Sequence, residues 1–160
     1  VPVLLEIWAN AWELGLKSGR QATGYQGSAN NQAYQQMLAR YQSQWVAQVI
    51  GTILKGLAAL LVAGGTAAAI AALLANVNSA DMVVQTEVTR AMGAGAIEVY
   101  RLAGVRMVTW HTAEDNRVCP MCDANEAAGP RILGQPFPSG AIQPPQHPRC
   151  RCALLPALES

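Results

Sequence analysis

Charge is scarce in this sequence of 160 residues. Charged side chains make up 13% of it, against about a quarter in an ordinary soluble domain, while 51% of the residues are hydrophobic. We therefore expect part of its apolar surface to be buried against a partner. Eleven basic and ten acidic side chains leave a net charge of +1, so no global field steers the protein toward nucleic acid or an anionic membrane. Phenylalanine is nearly missing, with Phe137 alone, and tryptophan and tyrosine supply the aromatics. Histidine and cysteine are absent before His111, so any chemistry that needs them is confined to one late stretch. A secretory signal is also lacking: no basic segment precedes a short apolar run and a small-residue cleavage site. The chain opens on Val-Pro-Val without a methionine, and we expect it to be a processed or excised part of a longer protein.

What is present reads first as helix. Leu4, Leu5, Trp8, Trp12, Leu14 and Leu16 recur in steps that predict an apolar stripe on a helix over residues 3–22, with Pro2 suited to its first turn. Ser28 or Asn30 then offers an N-cap for a long helix carrying Tyr34, Met37, Leu38, Tyr41, Trp45, Val49 and Ile53 on one face. Its second half is apolar all round. Residues 56–75, GLAALLVAGGTAAAIAALLA, contain no charge and have the length of a bilayer span. Gly64, Gly65 and Thr66 read instead as a C-cap followed by an N-cap, which predicts two buried helices. Alanine inserts weakly, and no aromatic or basic belt flanks the segment. After a loop with Ser79 as cap, a helix over 80–103 is expected to end at Gly104, with Glu87 and Arg90 paired at i, i+3. The period then falls to two. A strand over 105–112 would place Arg106, Val108, Trp110 and Thr112 on one face and Val105, Met107, Thr109 and His111 on the other. Short strands are expected at 131–133 and 151–155.

The stretch from His111 to Cys152 holds all four cysteines, both histidines and seven of the nine prolines. Cys119-Pro-Met-Cys122 has the C-x-x-C spacing that turns two thiolates toward one ion, and zinc takes four such ligands in a tetrahedron. The second half must come from His147, Cys150 and Cys152. H-x-x-C repeats the knuckle spacing and C-x-C can also chelate. We expect structural Zn2+ held by Cys119, Cys122 and Cys150 with either His147 or Cys152, four of the five. A thioredoxin-like redox pair needs a βαβ setting that the sequence does not continue. Disulfides within each cysteine pair would be cramped, although cross-pairing between them would fit an extracellular particle. A Cys–His nucleophile finds no orienting carboxylate. His111, Glu114 and Asp115 read as a solvated turn rather than a nuclease-like cluster. Arg117, Arg131, Arg149 and Arg151 are nearly cancelled by Glu114, Asp115, Asp123 and Glu126, which makes a poor nucleic-acid footprint. Trp110 is expected to be the apolar lid of the small module.

From Ala80 onward the chain resembles the Mu F-like (MuF) family of phage minor head, or head morphogenesis, proteins. The resemblance is carried by TEVTRA (Thr86–Ala91), YRLAGV (Tyr100–Val105), VTWHTAEDNRVCPMC (Val108–Cys122), LGQPFPSG (Leu133–Gly140) and PPQHPRCRC (Pro144–Cys152). It covers about half the chain, and Cys119, Cys122, His147, Cys150 and Cys152 fall on its signature positions. The resemblance implies a structural component of a tailed-phage head that associates with the portal and other capsid proteins near the portal vertex. It would be assembled in the host cytoplasm, present in several copies per virion, and not an enzyme. Packaged DNA is a further partner class. The expected architecture is mainly α: a helical arm over 1–79 that docks on partners, then a small α+β, proline-rich, zinc-knuckle-like module over 80–160. The rival classes are a virion protein ejected with DNA that inserts in the host membrane, a zinc-dependent DNA-binding module, and a thiol enzyme.

Overall fold

The computed structural model describes residues 2–77 and 80–157. Its elements run α1 (Pro2–Thr23), α2 (Asn31–Val62), α3 (Ala67–Val77), α4 (Ala80–Leu102), β1 (Met107–His111), α5 (Pro120–Ala127), β2 (Arg131–Ile132) and β3 (Ala153–Pro156). The fold is mostly helical, with a small antiparallel sheet of order β2-β1-β3 near the C-terminal end, as expected. Trp110 of β1 faces Leu154 of β3, and Met107 faces Ile132 of β2. The strands are shorter than the sequence pattern suggests, but the faces are as expected: Val108 and Trp110 are buried.

Helices α1 and α4 cross closely because glycines line the contact. A Cβ added at Gly15 would collide with the Met92 carbonyl, and one added at Gly95 with the carbonyl of Trp12. This proximity buries Trp8, Ala11, Trp12 and Leu16 against Ala91 and Val99. Leu14 is 53% exposed, which corrects the expected stripe. It stands two residues from Trp12, on the far side of the helix, and Ala11 and Gly15 complete the true contact line. One polar chain threads this core. The Trp8 indole N–H donates to Glu87 (2.9 Å), Arg90 pairs with Glu87 (3.4 Å) and stacks over the Tyr41 ring (5.2 Å). The Tyr41 hydroxyl accepts from Gln143 in the proline-rich loop (3.0 Å). Glu87 is thus a buried carboxylate with two partners, not half of a surface ion pair.

Asn30 is the N-cap of α2, its side chain accepting from the Gln32 N–H at 2.8 Å. The first half of α2 buries Met37 and Tyr41. Trp45, Val49 and Ile53 on the same stripe, and the expected cap Ser79, lie outside the side chains and residues described. Gly64, at φ +67°, ends α2, and the Thr66 hydroxyl accepts from the Ala69 N–H (3.3 Å) at the start of α3. Two helices joined at Gly64 and Gly65 are therefore found, but between residues 54 and 72 their described side chains are not buried within this chain. Leu61 is 78% and Val62 91% exposed. Helix α1 packs along α4, while α2 packs more on α3 than on α4 among the described residues. No helix among the described residues is long and apolar enough to cross a membrane.

Candidate metal centre

A second core lies between the end of α4 and the sheet. Tyr100, Val108, Trp110, Phe137 and Leu154 are buried there together with Cys122, Cys150 and Cys152. Trp110 meets Phe137 edge to face (5.2 Å between centroids), so it is the centre of the module rather than its lid. The Tyr100 hydroxyl reaches across to the Leu154 carbonyl (3.0 Å). Buried Asn125 pins the proline-rich loop by donating to the Ser139 hydroxyl (2.9 Å) and accepting from the Ser139 N–H (3.0 Å).

Two short segments bring the cysteines and histidine together. Cys119 is the N-cap of α5, with extended backbone, Pro120 at the first helical position, and its sulfur accepting from the Cys122 N–H (3.4 Å). The other segment is the turn His147–Cys150, closed by the Cys150 N–H on the His147 carbonyl (3.1 Å), with Arg149 at φ +61°. Helix α4 holds this turn in place. The Thr86 hydroxyl accepts from the Arg149 N–H, and the Thr89 hydroxyl donates to the Cys150 carbonyl, each at 3.0 Å.

All five expected residues converge, as two triads that share Cys122. The ligand atoms of Cys119, Cys122 and His147 lie within 4.8 Å of one another, as do those of Cys122, Cys150 and Cys152. All four thiols are free. A cavity of about 20 Å³ opens among these five residues and Arg117. That is room for one water-sized particle and far too little for an organic substrate. The donor set, three or four sulfurs with one imidazole, is what borderline-soft divalent metals such as zinc select. The site therefore fits a metal on both chemistry and size.

The electrostatics show what such crowding does without a cation. Burial pushes the Cys122 thiol up to about 12, with the neighbouring Cys119 and Cys150 sulfurs adding to it. A hydrogen bond from Cys152 brings Cys150 down to about 5, and the same contact, then burial, drives Cys152 upward. For Cys119, burial opposes ionisation, but the Cys122 N–H and thiol and nearby His147 outweigh it and lower the pKa. The sulfurs thus differ in ease of ionisation, Cys119 and Cys150 losing a proton more readily and Cys122 and Cys152 less readily than an ordinary thiol. A bound divalent metal would displace the remaining protons. The Trp110 indole N–H is buried without a hydrogen-bond partner, yet it lies close enough to the Cys152 sulfur to favour its thiolate.

His111 and Glu114 meet Glu126 on an exposed patch, and Asp115 turns away from them. Asp115 is clamped by both guanidinium nitrogens of Arg151 (2.7 Å each), which holds its carboxyl well below the usual range. This pairing ties the loop before Cys119 to the segment between Cys150 and Cys152, and sequence spacing gave no sign of it. The Thr86 and Thr89 braces were missed too, although both lie inside TEVTRA. A strand does precede the C-x-x-C helix, but the sheet is wholly antiparallel, so the βαβ setting of a thioredoxin-like pair is not formed.

A helical body closed by a small Cys/His module is the class that fold and site define. The chain belongs to the Phage Mu protein F like family, whose model matches residues 26–155. The match begins before α2, so it takes in the helical hairpin as well as the C-terminal half that carries the sequence resemblance. It is a family of structural head proteins. No curated protein and no solved structure matches the chain.

Proposed function

We propose that this protein is a structural minor component of a tailed-phage head, docked at the portal vertex during assembly, with a C-terminal module closed by one zinc ion. The observation that carries this reading is the family match over 26–155 in a chain whose Cys/His cluster can take a single ion and nothing larger. Cys119, Cys122, His147, Cys150 and Cys152 supply the ligands, four of the five. The metal gives a short-looped, proline-rich module the stability that its apolar area cannot, and the module is not an enzyme.

The division into an arm over 1–79 and a module over 80–160 is a division of labour. The α1 stripe is already taken up by α4, so the docking surface of the arm is the α2–α3 hairpin with exposed Leu54, Leu61 and Val62. Portal and other capsid subunits are the partners, and several copies per virion follow from the symmetry of a portal ring. The head near the portal vertex is the location.

The chain should co-sediment with portal assemblies when the two are co-expressed. The double variant Leu61→Asp, Val62→Asp should abolish this and leave the circular dichroism unchanged. A wild-type chain that stays apart from portal and from assembled heads removes the structural-head reading. Elemental analysis should give one zinc per chain, and metal-free protein carrying two disulfides removes the metal reading.

A further inference from the structure

The five candidate ligands are one too many for a tetrahedron, and the geometry distinguishes them. The His147 Nε2 atom lies 3.2 Å from the Cys119 sulfur and 3.6 Å from the Cys122 sulfur, and Cys122 lies 4.0 Å from the Cys150 sulfur. Ligand atoms bound to zinc at about 2.3 Å (sulfur) and 2.0–2.1 Å (nitrogen) stand roughly 3.5–3.8 Å apart across a tetrahedral edge. The three distances bracket that edge.

The imidazole is also set for the task. Its Nδ1 lies 2.8 Å from the Pro148 carbonyl oxygen. A carbonyl can only accept, so Nδ1 carries the proton and Nε2 presents its lone pair to the two knuckle sulfurs. A ligand histidine whose other ring nitrogen is held by a backbone carbonyl is a recurrent arrangement at metal sites, because it fixes both tautomer and ring orientation. Cys152 stands differently. Like Cys150 it forms a triad with Cys122 and none with Cys119 or His147, but Cys150 closes the H-x-x-C turn by donating its N–H to the His147 carbonyl (3.1 Å), which repeats the Cys119–Cys122 knuckle, whereas Cys152 is a buried residue beyond that turn.

Resting on the metal reading above, we infer that the ion is held by Cys119, Cys122, Cys150 and the Nε2 atom of His147, and that Cys152 stays outside the coordination set as a buried neighbour of Cys122 and Cys150. The ligand class is a thiophilic divalent cation bound by three sulfurs and one nitrogen. Cys152 packs beside the ligand sulfurs and is not one of them.

Cobalt(II) is the probe, since its thiolate charge-transfer and visible ligand-field bands follow the number of sulfurs bound. Full-length Cys152→Ser should take one cobalt per chain with the wild-type charge-transfer intensity, and bind it about tenfold more weakly, as for loss of an outer-shell partner. Cys150→Ser should lose about a third of that intensity, one of three sulfurs. His147→Ala should shift the ligand-field bands and bind more than about 100-fold more weakly, beyond the range for outer-shell changes. X-ray absorption on wild-type zinc protein should count three sulfurs and one nitrogen, and it needs no variant to fold. Four sulfurs, or a Cys152→Ser spectrum that has lost a thiolate, overturns the assignment while leaving the metal reading intact. A wild-type chain that takes up neither zinc nor cobalt removes the metal reading itself, and this inference with it.

Discussion

The two cores of this chain are held by different means. The first, around Trp8, Trp12, Leu16, Met37, Tyr41 and Val99, is large helical surface brought close by Gly15 and Gly95. The second, around Tyr100, Val108, Trp110, Phe137 and Leu154, is small, and three of its nine buried members are cysteines. Helix α4 is a wall of both: Ala91 and Val99 face one core, Ala96 and Tyr100 the other. The contrast teaches where chemistry is needed. Apolar area and the Trp8–Glu87 hydrogen bond hold the crossing of α1 and α4, whereas strands of two to five residues and a proline-rich loop bury little area, and the proposed metal would close them.

Removing the metal should produce the largest effect and separates the cores most sharply. Structural zinc contributes on the order of 10 kcal/mol or more, as much as the whole stability of an ordinary domain. Chelation, or Cys122→Ser at the residue shared by both triads, should therefore unfold the second core outright. Amide exchange should become fast in β1, α5 and β3 and stay slow in α1 and the N-terminal half of α4. Loss of protection everywhere at once would show that α4 couples the two cores into one unit.

Gly95→Val attacks the other core. Glycine inside a helix is normally a weakness, so a larger residue gains up to about 1 kcal/mol in propensity. Here the new side chain would meet the Leu16 amide nitrogen at 3.0 Å from its Cβ, and the Trp12 carbonyl closer still. Backbone cannot yield as a side-chain tip can, so overpacking wins and the variant should lose about 3 kcal/mol. Its zinc content should match wild type. A urea midpoint at or above that of wild type would mean that the helices do not cross this closely.

Asn125→Ala should follow in size. It removes two hydrogen bonds at a fully buried site and leaves the Ser139 N–H without its acceptor, although the Ser139 hydroxyl keeps Gln146 and Ala141, at a cost of about 2 kcal/mol confined to the second core. Tryptophan emission from Trp110 should report the change before the helical signal moves. A uniform shift of both signals would again argue for one cooperative unit.

Much of this organisation was legible because it is periodic. The stripe of α1, the Asn30 cap, the Gly64–Thr66 break, the two-residue period of β1 and the convergence of the five Cys/His residues all follow from spacing. What spacing cannot show is contact across the chain. Leu14 looks like part of a stripe until Gly15 shows which side of α1 is approached. The Glu87–Arg90 spacing announces the ion pair that forms, but not that Trp8, 79 residues away, also donates to Glu87 in a buried setting. The Thr86 and Thr89 braces belong to pairs 61 to 63 residues apart, and no local rule reaches so far. The uncharged segment 56–75 read as two buried helices from its Gly64–Thr66 break and its weak membrane signal, but caps fix where helices end and not what covers them, and Leu61 and Val62 are exposed.

The smallest expected effect uses one tyrosine from each core. Burial raises the pKa of Tyr100, and burial raises that of Tyr41 although Arg90 and the hydrogen bond from Gln143 pull the other way. Both folded values lie above the ordinary 10.0, so as pH rises past about 10 the unfolded chain sheds these protons first. The native state then binds more protons, and stability must fall with rising pH, by up to about 1.4 kcal/mol per pH unit for each tyrosine. Below the unfolded value the contribution is fully present. Urea unfolding from about pH 9 to about pH 11 should therefore show a downward slope that Tyr41→Phe reduces for the helical signal and Tyr100→Phe for Trp110 emission. If either variant flattens both signals alike, the cores are linked through α4 and the comparison collapses to a single unit. If neither does, the two phenols ionise as easily in the folded chain as in the unfolded one.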